Sequence, residues 1–110
     1  MKVFISQPMK GRSDEDIKAE RNAVIEAMKK DNANVEVIDS FFEGAPHDAK
    51  PLWFLAKALE LLSTADMAVF VDYCNETSRG CKIEALCCKE YGIDSCSFLT
   101  DVGLLSASSC

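Results

Sequence analysis

Two carboxylates, a hydroxyl and a helix start lie close together in the second half of this chain. Asp72 ends an apolar run, and Glu84 lies six residues after Ser78, with Arg79 and Gly80 between them. Paired carboxylates can divide a reaction, one attacking an electron-poor carbon while the other handles a proton. The unpaired N–H groups of a helix start bind anions. These residue types therefore predict a catalytic site for a small anionic substrate.

Glu84 has an unusual place in its predicted helix, residues 80–91. On a helical wheel it lies at the centre of a broad apolar arc, opposite Lys82 and Lys89. A buried carboxylate is costly, so either first-turn amides and a basic partner satisfy it, or it serves catalysis or ligand binding. We favour the second interpretation. The arc consists of Cys81, Ile83, Ala85, Cys87, Cys88 and Tyr91.

The elements that must position these residues alternate between strand and helix. Apolar runs predict strands at 2–6, 35–38, 67–71 and 93–99, and helical periodicity predicts helices at about 14–30, 51–63 and 80–91. This alternation predicts one α/β domain over residues 1–110. We expect a doubly wound, flavodoxin- or Rossmann-like parallel sheet of about four strands, in order 2-1-3-4, with helices on both faces. Residues 100–110 are expected to form a last helical turn or to fray.

A sheet of this order brings distant residues to one edge. Its winding reverses between strands one and three, and ligands bind outside the carboxyl ends of the strands at that point. Strand one delivers Gln7 and Pro8 there, and strand three delivers Asp72. The alternative for Asp72 is an ordinary turn or helix-capping residue. Residues 6–11 lack the glycine pattern of a dinucleotide site and the acidic cluster of a receiver domain, and the Gly-Lys-Ser/Thr signature of a P-loop is also absent.

Composition narrows the partners. The formal net charge of −6 leaves no basic face for nucleic acid or an anionic membrane, and no segment is a secretory or membrane-spanning run. Six cysteines lie inside strand and helix patterns, which favours the cytosol over a disulfide framework. With no C-x-x-C and only His47 as histidine, we expect no metal site and no cofactor. Cys81, near a helix start, is a candidate for a lowered thiol pKa.

The helix at 51–63 is apolar on most sides. We expect the stripe of Leu52, Ala56 and Leu59 to pack on the sheet and the face of Phe54, Ala58 and Leu61 to contact another copy of the chain. The chain is therefore expected to form a homo-oligomer, a dimer or larger, through residues 52–63. Trp53 would be an interface anchor or a wall of the site. In the first helix, Arg21 shares the face of Ile17 and Val24, where we expect its stem to snorkel at the core edge.

Three segments together resemble a known family. They are residues 3–9, residues 65–72, and above all Ser-Arg-Gly-Cys-Lys-Ile-Glu at 78–84, followed by Tyr-Gly-Ile at 91–93. On these the chain resembles the nucleoside 2-deoxyribosyltransferase-like superfamily, close to its small bacterial and phage-type branch, over about residues 1–97. The resemblance implies cleavage of an N-glycosidic bond through a covalent glycosyl-enzyme, with no metal or cofactor.

The resemblance also assigns residue roles. It makes Glu84 the nucleophile and Asp72 the group assisting the leaving base. The transferases carry an acid where this chain has Ser78, and the branch that hydrolyses deoxynucleoside 5′-monophosphates has a serine there that contacts the phosphate. A strand-one tyrosine that hydrogen-bonds the family's nucleophile corresponds most closely to Phe4. The expected substrate-binding residues are Phe4, Gln7, Pro8, Trp53, Ser78, Arg79 and Gly80.

The expected function is hydrolysis of a nucleoside 5′-monophosphate at its N-glycosidic bond, with deoxyribosyl transfer the less favoured reaction. Two alternatives from other classes stay open at this point. One is a nucleotide-binding or sensing module that has lost turnover, which the absence of a hydroxyl at Phe4 would permit. The other is a structural subunit built on the helix at 51–63. The base and the sugar, ribose or deoxyribose, are not determined by these residues.

Overall fold

The computed structural model describes residues 1–8, 11–39, 48, 50–100 and 104–107. The loop containing His47 and the C-terminal Cys110 lie outside these residues. The described elements follow in chain order as β1 (Lys2–Ser6), α1 (Asp14–Asp31), β2 (Glu36–Val37), α2 (Pro51–Leu62), β3 (Met67–Val71), α3 (Cys74–Thr77), α4 (Arg79–Tyr91), β4 (Asp94–Leu99) and β5 (Leu104–Ala107).

The strands form one sheet of order β2-β1-β3-β4-β5. The first four are parallel, which confirms the predicted α/β fold and its 2-1-3-4 order. β5 pairs antiparallel with β4, so residues 104–107 are a strand rather than the expected helical turn or frayed end. An antiparallel neighbour needs only a short connection after β4. Residues 100–110 are mostly small and polar apart from Leu104 and Leu105, so their sequence did not predict a strand. The strand forms by pairing with the edge of β4.

Side-chain alternation along β1 divides the interior into two cores. Val3 and Ile5 face α1 and pack with Val24 and Met28. Phe4 points the other way, into a core shared with Leu62 of α2 and with cysteines of α3 and α4. Because successive strand residues face opposite sides, Ser6 follows Phe4 onto the side covered by α4. The end of β1 therefore presents a polar side chain to α4.

α1 begins where its sequence signals predict. Ser13 is the N-cap, and its side chain accepts a hydrogen bond from the backbone N–H of Asp16 at 3.1 Å. Arg21 differs from the expectation of a snorkelling stem, since the residue is only 8% exposed and its guanidinium donates to the backbone oxygen of Ile38. Burial lowers the pKa of Arg21, and the charge of Asp39 opposes this shift. The hydrogen bond joins α1 to the chain after β2, a long-range partner that local periodicity cannot reveal.

α2 packs with a different face from the one expected. Ala58, Leu59 and Leu61 lie against the core, whereas Leu52 is 74% exposed and Ala56 is also exposed. Of the predicted inward stripe, Leu59 does pack against the core, but Ala58 and Leu61, predicted for an outer face that contacts another copy, pack inward as well. The prediction was wrong for the other residues because α2 is apolar on most sides, so its sequence does not determine which face turns inward. Phe54 remains partly exposed, as expected. Within the described part of the chain, no helix has the length and apolarity to cross a membrane.

Candidate functional site

The end of β1 and the first turns of α4 meet through a carboxylate. Ser6, the last residue of β1, donates a hydrogen bond from its hydroxyl to Glu84 Oε1 at 3.2 Å. Glu84 is buried, with 7% of its surface exposed, as its place in the apolar arc predicts. Among the described residues Glu84 forms no salt bridge. The alternative in which a basic partner satisfies this carboxylate therefore finds no support there. A buried acid held by one hydroxyl is the central feature of the site.

The buried stripe of α4 is narrower than the predicted arc. Cys81, Glu84 and Cys88 are buried, whereas Ile83 is partly exposed and Tyr91 is 82% exposed. These three residues are spaced three and four apart, the spacing at which residues share one face of a helix. The buried face of α4 is therefore narrower than the arc predicted from the helical wheel. The helix ends at Gly92, whose φ of 72° is the left-handed conformation that glycine adopts without strain.

The surroundings of Glu84 shift its acidity strongly. Burial raises its pKa to about 8, the charge of Cys81 adds to the rise, and the hydrogen bond from Ser6 opposes it. At neutral pH the carboxyl group is therefore mostly protonated in the free protein. It can donate a proton in that state, and it becomes a nucleophile on ionisation.

Two buried thiols lie next to this pair. Cys74 Sγ donates to the backbone oxygen of Ser6 at 3.3 Å and lies 3.8 Å from the Ser6 hydroxyl. A hydrogen bond from Cys74 lowers the pKa of Cys81 to about 6 and raises that of Cys74, while burial raises both. The hydroxyls of Ser6 and Ser78 also favour the Cys81 thiolate. In the described part of the chain, His, Cys, Asp and Glu side chains nowhere gather in a group of three that could hold a metal ion.

Asp72 belongs to a different cluster from Glu84. Its two carboxylate oxygens accept hydrogen bonds from the backbone N–H and the hydroxyl of Thr100, at 2.8 and 2.6 Å. Asp72 and Tyr73 both have positive φ, 49° and 57°, which turns the chain sharply between β3 and α3. No hydrogen bond between Asp72 and Glu84 is found among the described residues. These contacts favour the turn interpretation of Asp72 in the ligand-free protein.

The loop after β1 is held by a polar network that the sequence did not reveal. Gln7 Nε2 donates to the backbone oxygen of Ile17 and to Glu20, at 3.1 and 3.0 Å. Arg12 makes two hydrogen bonds to Glu20, at 3.0 Å each, and one to the backbone oxygen of Pro8. Gln7 Oε1 is buried without a hydrogen-bond partner in the described part of the chain. The expected substrate residue Gln7 is therefore held within this network, and its Oε1 atom is enclosed by the protein.

The start of α4 is open. Ser78 is its N-cap residue, but the hydroxyl makes no capping hydrogen bond, and it interacts with the Cys81 thiol instead. Arg79 is exposed, and in the described part of the chain nothing beyond the adjacent residues and the backbone of α4 itself lies within 4 Å of a methyl group built on Gly80. The first N–H groups of a helix have no partner within it. This end of α4 can therefore accept an anion without displacing a side-chain cap.

Two further predicted site residues lie elsewhere. Phe4 is 1% exposed and packs in the core beneath α2 and α4. Trp53 lies in the first turn of α2, where it stacks edge-on against Phe54 at 5.1 Å and lies 5.9 Å from the Lys57 ammonium. Ser6, and not residue 4, is the β1 residue whose side chain donates a hydrogen bond to Glu84. The signal for it was the period of two along β1, which places positions 4 and 6 on one face.

The raised pKa of Glu84 predicts a pH-dependent stability. The neutral form is favoured in the folded state, so stability is complete below the ordinary pKa of 4.5 and falls as pH rises to about 8. The loss should reach about 4–5 kcal/mol above that pH. Glu84→Gln keeps the shape and the acceptor for Ser6 but cannot ionise, so its stability relative to the native chain should rise by that amount.

Urea denaturation between pH 4 and 9 measures this difference. The matched control is Glu90→Gln, an exposed glutamate on the same helix, which should follow the native curve. Parallel curves for the native chain and Glu84→Gln would contradict the buried, raised-pKa carboxyl.

Comparison of the chain with family models, curated proteins and solved structures found no match to any of them. The resemblance carried by residues 3–9, 65–72 and 78–84 therefore stays a prediction. What the molecule does must be derived from the side chains at the end of β1 and the start of α4.

Proposed function

We propose that this chain cleaves the N-glycosidic bond of a nucleoside 5′-monophosphate, with Glu84 as the nucleophile. The observation that carries the proposal is a buried carboxyl group, hydrogen-bonded by Ser6 at the carboxyl end of β1. β1 and β3 flank the point where the winding of the sheet reverses, the usual ligand site of such folds. A carboxyl group kept there at the cost of desolvation is better explained by chemistry than by packing.

The reaction has two steps. Ionised Glu84 attacks C1′ of the sugar, a C–O bond forms, and the C1′–N bond breaks with its electron pair leaving on the base. Water then attacks C1′ and gives a proton to Asp72, the bond between C1′ and the Glu84 oxygen breaks, the Glu84 carboxylate is regenerated, and the sugar phosphate leaves. Asp72 handles the proton at the leaving base, for which its carboxylate must exchange Thr100 for the substrate.

The open start of α4 is the proposed phosphate site. The N–H groups of the first turn, the Ser78 hydroxyl and the Arg79 guanidinium would each interact with the phosphate oxygens. Gly80 leaves room for close approach of the anion to the backbone. The described cysteines are free thiols, in keeping with a cytosolic setting.

A nucleotide-binding module without turnover is the second candidate. It is favoured by the engagement of both Asp72 oxygens with Thr100 and by the pKa of about 8, which keeps Glu84 mostly neutral at pH 7. A neutral carboxyl group can donate a hydrogen bond to a ligand but cannot attack a carbon. The two candidates differ in base release, not in binding.

Base release from a panel of nucleosides and 5′-nucleotides tests the proposal. We expect free base from at least one 5′-monophosphate, at a rate that rises with pH toward 8 as Glu84 ionises. Glu84→Gln should abolish it, because the variant lacks the nucleophilic charge while keeping the fold. Chromatography of the products measures the rate, and Glu90→Gln is the control. Binding without base release would support the second candidate and overturn the first.

The phosphate site predicts a preference for the 5′-monophosphate over the free nucleoside. Hydrogen bonds to a charged group contribute about 1.5–3 kcal/mol each, so even one should separate the two ligands by about tenfold. Titration calorimetry with one deoxynucleoside and its monophosphate measures the ratio. Ser78→Asp should reverse the preference by charge repulsion, whereas Ser78→Ala should only weaken it. Equal affinities of the native chain would contradict the phosphate assignment.

We further propose that the exposed apolar residues at the start of α2 bring copies of the chain together. Leu52 and Phe54 are the exposed large side chains there, and an uncovered pair beside Trp53 favours association. Sedimentation at micromolar concentration should show a dimer or larger species. Leu52→Lys should shift the chain toward the monomer, while Leu86→Lys, at an exposed site on α4, serves as the matched control. A native monomer would overturn this proposal.

A further inference from the structure

The hydroxyl of Ser6 donates a hydrogen bond to Glu84 Oε1 at 3.2 Å. We propose that Ser6 is the positioning residue of Glu84, holding Oε1 by this hydrogen bond so that Oε2 is the oxygen presented to a ligand. The part concerning reaction rests on the proposed function, whereas the part concerning orientation does not. Ser6 would act through Glu84 and not touch the substrate.

Ser6 is suited to this role because its own place is rigid. It ends β1 in the middle of the sheet, paired in register with Phe70 of β3, and only 2% of its surface is exposed. Glu84, by contrast, has a flexible side chain on a helix. A donor fixed on a strand removes rotamers from a carboxylate that would otherwise move, and this lowers the cost of reaching a reactive geometry.

The neighbouring thiol leaves the Ser6 proton available for Glu84. Cys74 Sγ donates a hydrogen bond to the backbone oxygen of Ser6 at 3.3 Å. Its distance from the Ser6 hydroxyl is 3.8 Å, which is long for a hydrogen bond, and sulfur is a weak acceptor. A carboxylate is a much stronger acceptor than a thiol, so the hydroxyl donates to Glu84. Cys74 thereby fixes the backbone of Ser6 without competing for its proton.

A hydrogen bond to the charged form of Glu84 favours ionisation, so its removal must raise the pKa of the carboxyl group further. The titratable group whose charge acts on Glu84 is Cys81 on α4, and the buried thiol of Cys88 lies one turn further along the same stripe. Cys74 on α3 contacts Ser6. In the described part of the chain, β3 contributes no titratable side chain, and the charged residues of β1 and α2 are exposed at Lys2, Lys57 and Glu60. Because the Ser6 hydroxyl also favours the Cys81 thiolate, the midpoint of Glu84 is compared in a Cys81→Ala background, where its shift reports the hydrogen bond to Glu84 alone.

The first experiment needs no substrate. Carbon NMR of chain labelled at its glutamate carboxyl groups follows the titration of Glu84, assigned by its loss in Glu84→Gln. Ser6→Ala should raise the midpoint by about one unit or more, because a hydrogen bond to a charged group is worth that much. Ser6→Thr keeps the hydroxyl and should restore the native midpoint. An unchanged midpoint in Ser6→Ala would overturn the proposal.

Ser97→Ala is the matched control. Ser97 is also buried and lies on the same row of the sheet as Ser6, two strands away, since Phe70 pairs with both. Its removal should leave the midpoint of Glu84 in place. If Ser6→Ala does not fold, Ser6→Cys keeps a weak donor of similar shape, and its midpoint should lie between those of the native chain and a chain without a donor. An equal shift in Ser97→Ala would assign the effect to general packing and overturn the proposal.

Turnover separates this inference from the proposed function. Below the midpoint, Ser6→Ala should release base about tenfold more slowly through kcat, with KM for the monophosphate nearly unchanged, and part of the rate should return at higher pH. Should the native chain release no base while the NMR shift is present, the proposed function fails and the positioning of Glu84 stands. A loss confined to KM would assign Ser6 to binding and overturn its positioning role.

Discussion

The cost of burying the Glu84 carboxyl group is the constraint on which the rest of the site depends. An ionised carboxylate in the interior costs several kcal/mol, and one hydrogen bond to a charged group returns about 1.5–3 kcal/mol. The hydrogen bond from Ser6 therefore offsets only part of this cost. The remaining cost of ionisation raises the pKa of Glu84 to about 8. At neutral pH the fold therefore retains the Glu84 carboxyl group mostly in its neutral form.

Three polar networks brace the sheet edge around this group. Glu20 and Arg12 hold the loop after β1 through Gln7 and the Pro8 carbonyl. Asp72 ties the chain after β3 to Thr100 at the end of β4. The thiols of Cys74 and Cys81 fill the space between Ser6 and α4, where larger side chains would push the helix away. Each network joins separate elements of the fold. The hydrogen bonds of Ser6 with Cys74 and Glu84 connect the end of β1 to α3 and α4.

The sequence predicted the periodic features of the fold and missed those that depend on long-range contacts. Strand runs and helical wheels were sufficient for the order of four parallel strands and for the burial of Glu84. The position of β5 depends on its pairing with β4. The inward face of α2 depends on packing that its uniform apolarity does not specify. The hydrogen bond of Ser6 depends on Glu84, which lies 78 residues further along the chain. Asp72 was placed at the correct strand end, but its partner Thr100 lies beyond the next strand and could not be inferred locally.

Cys81 and Glu84 share one electrostatic constraint. The charge of the Cys81 thiolate raises the pKa of Glu84, and Cys81 lies in the first turn of α4, where the helix start also favours an anion. On the proposed function, a phosphate bound at that turn competes with the thiolate for the same N–H groups. If Cys81 is protonated when the phosphate binds, a negative charge close to Glu84 is lost. The negative charge of the phosphate takes its place, but it is held by Arg79 and the helix start. Because the ligand's charge is neutralised by donors that Glu84 does not use, binding need not oppose the ionisation on which attack depends.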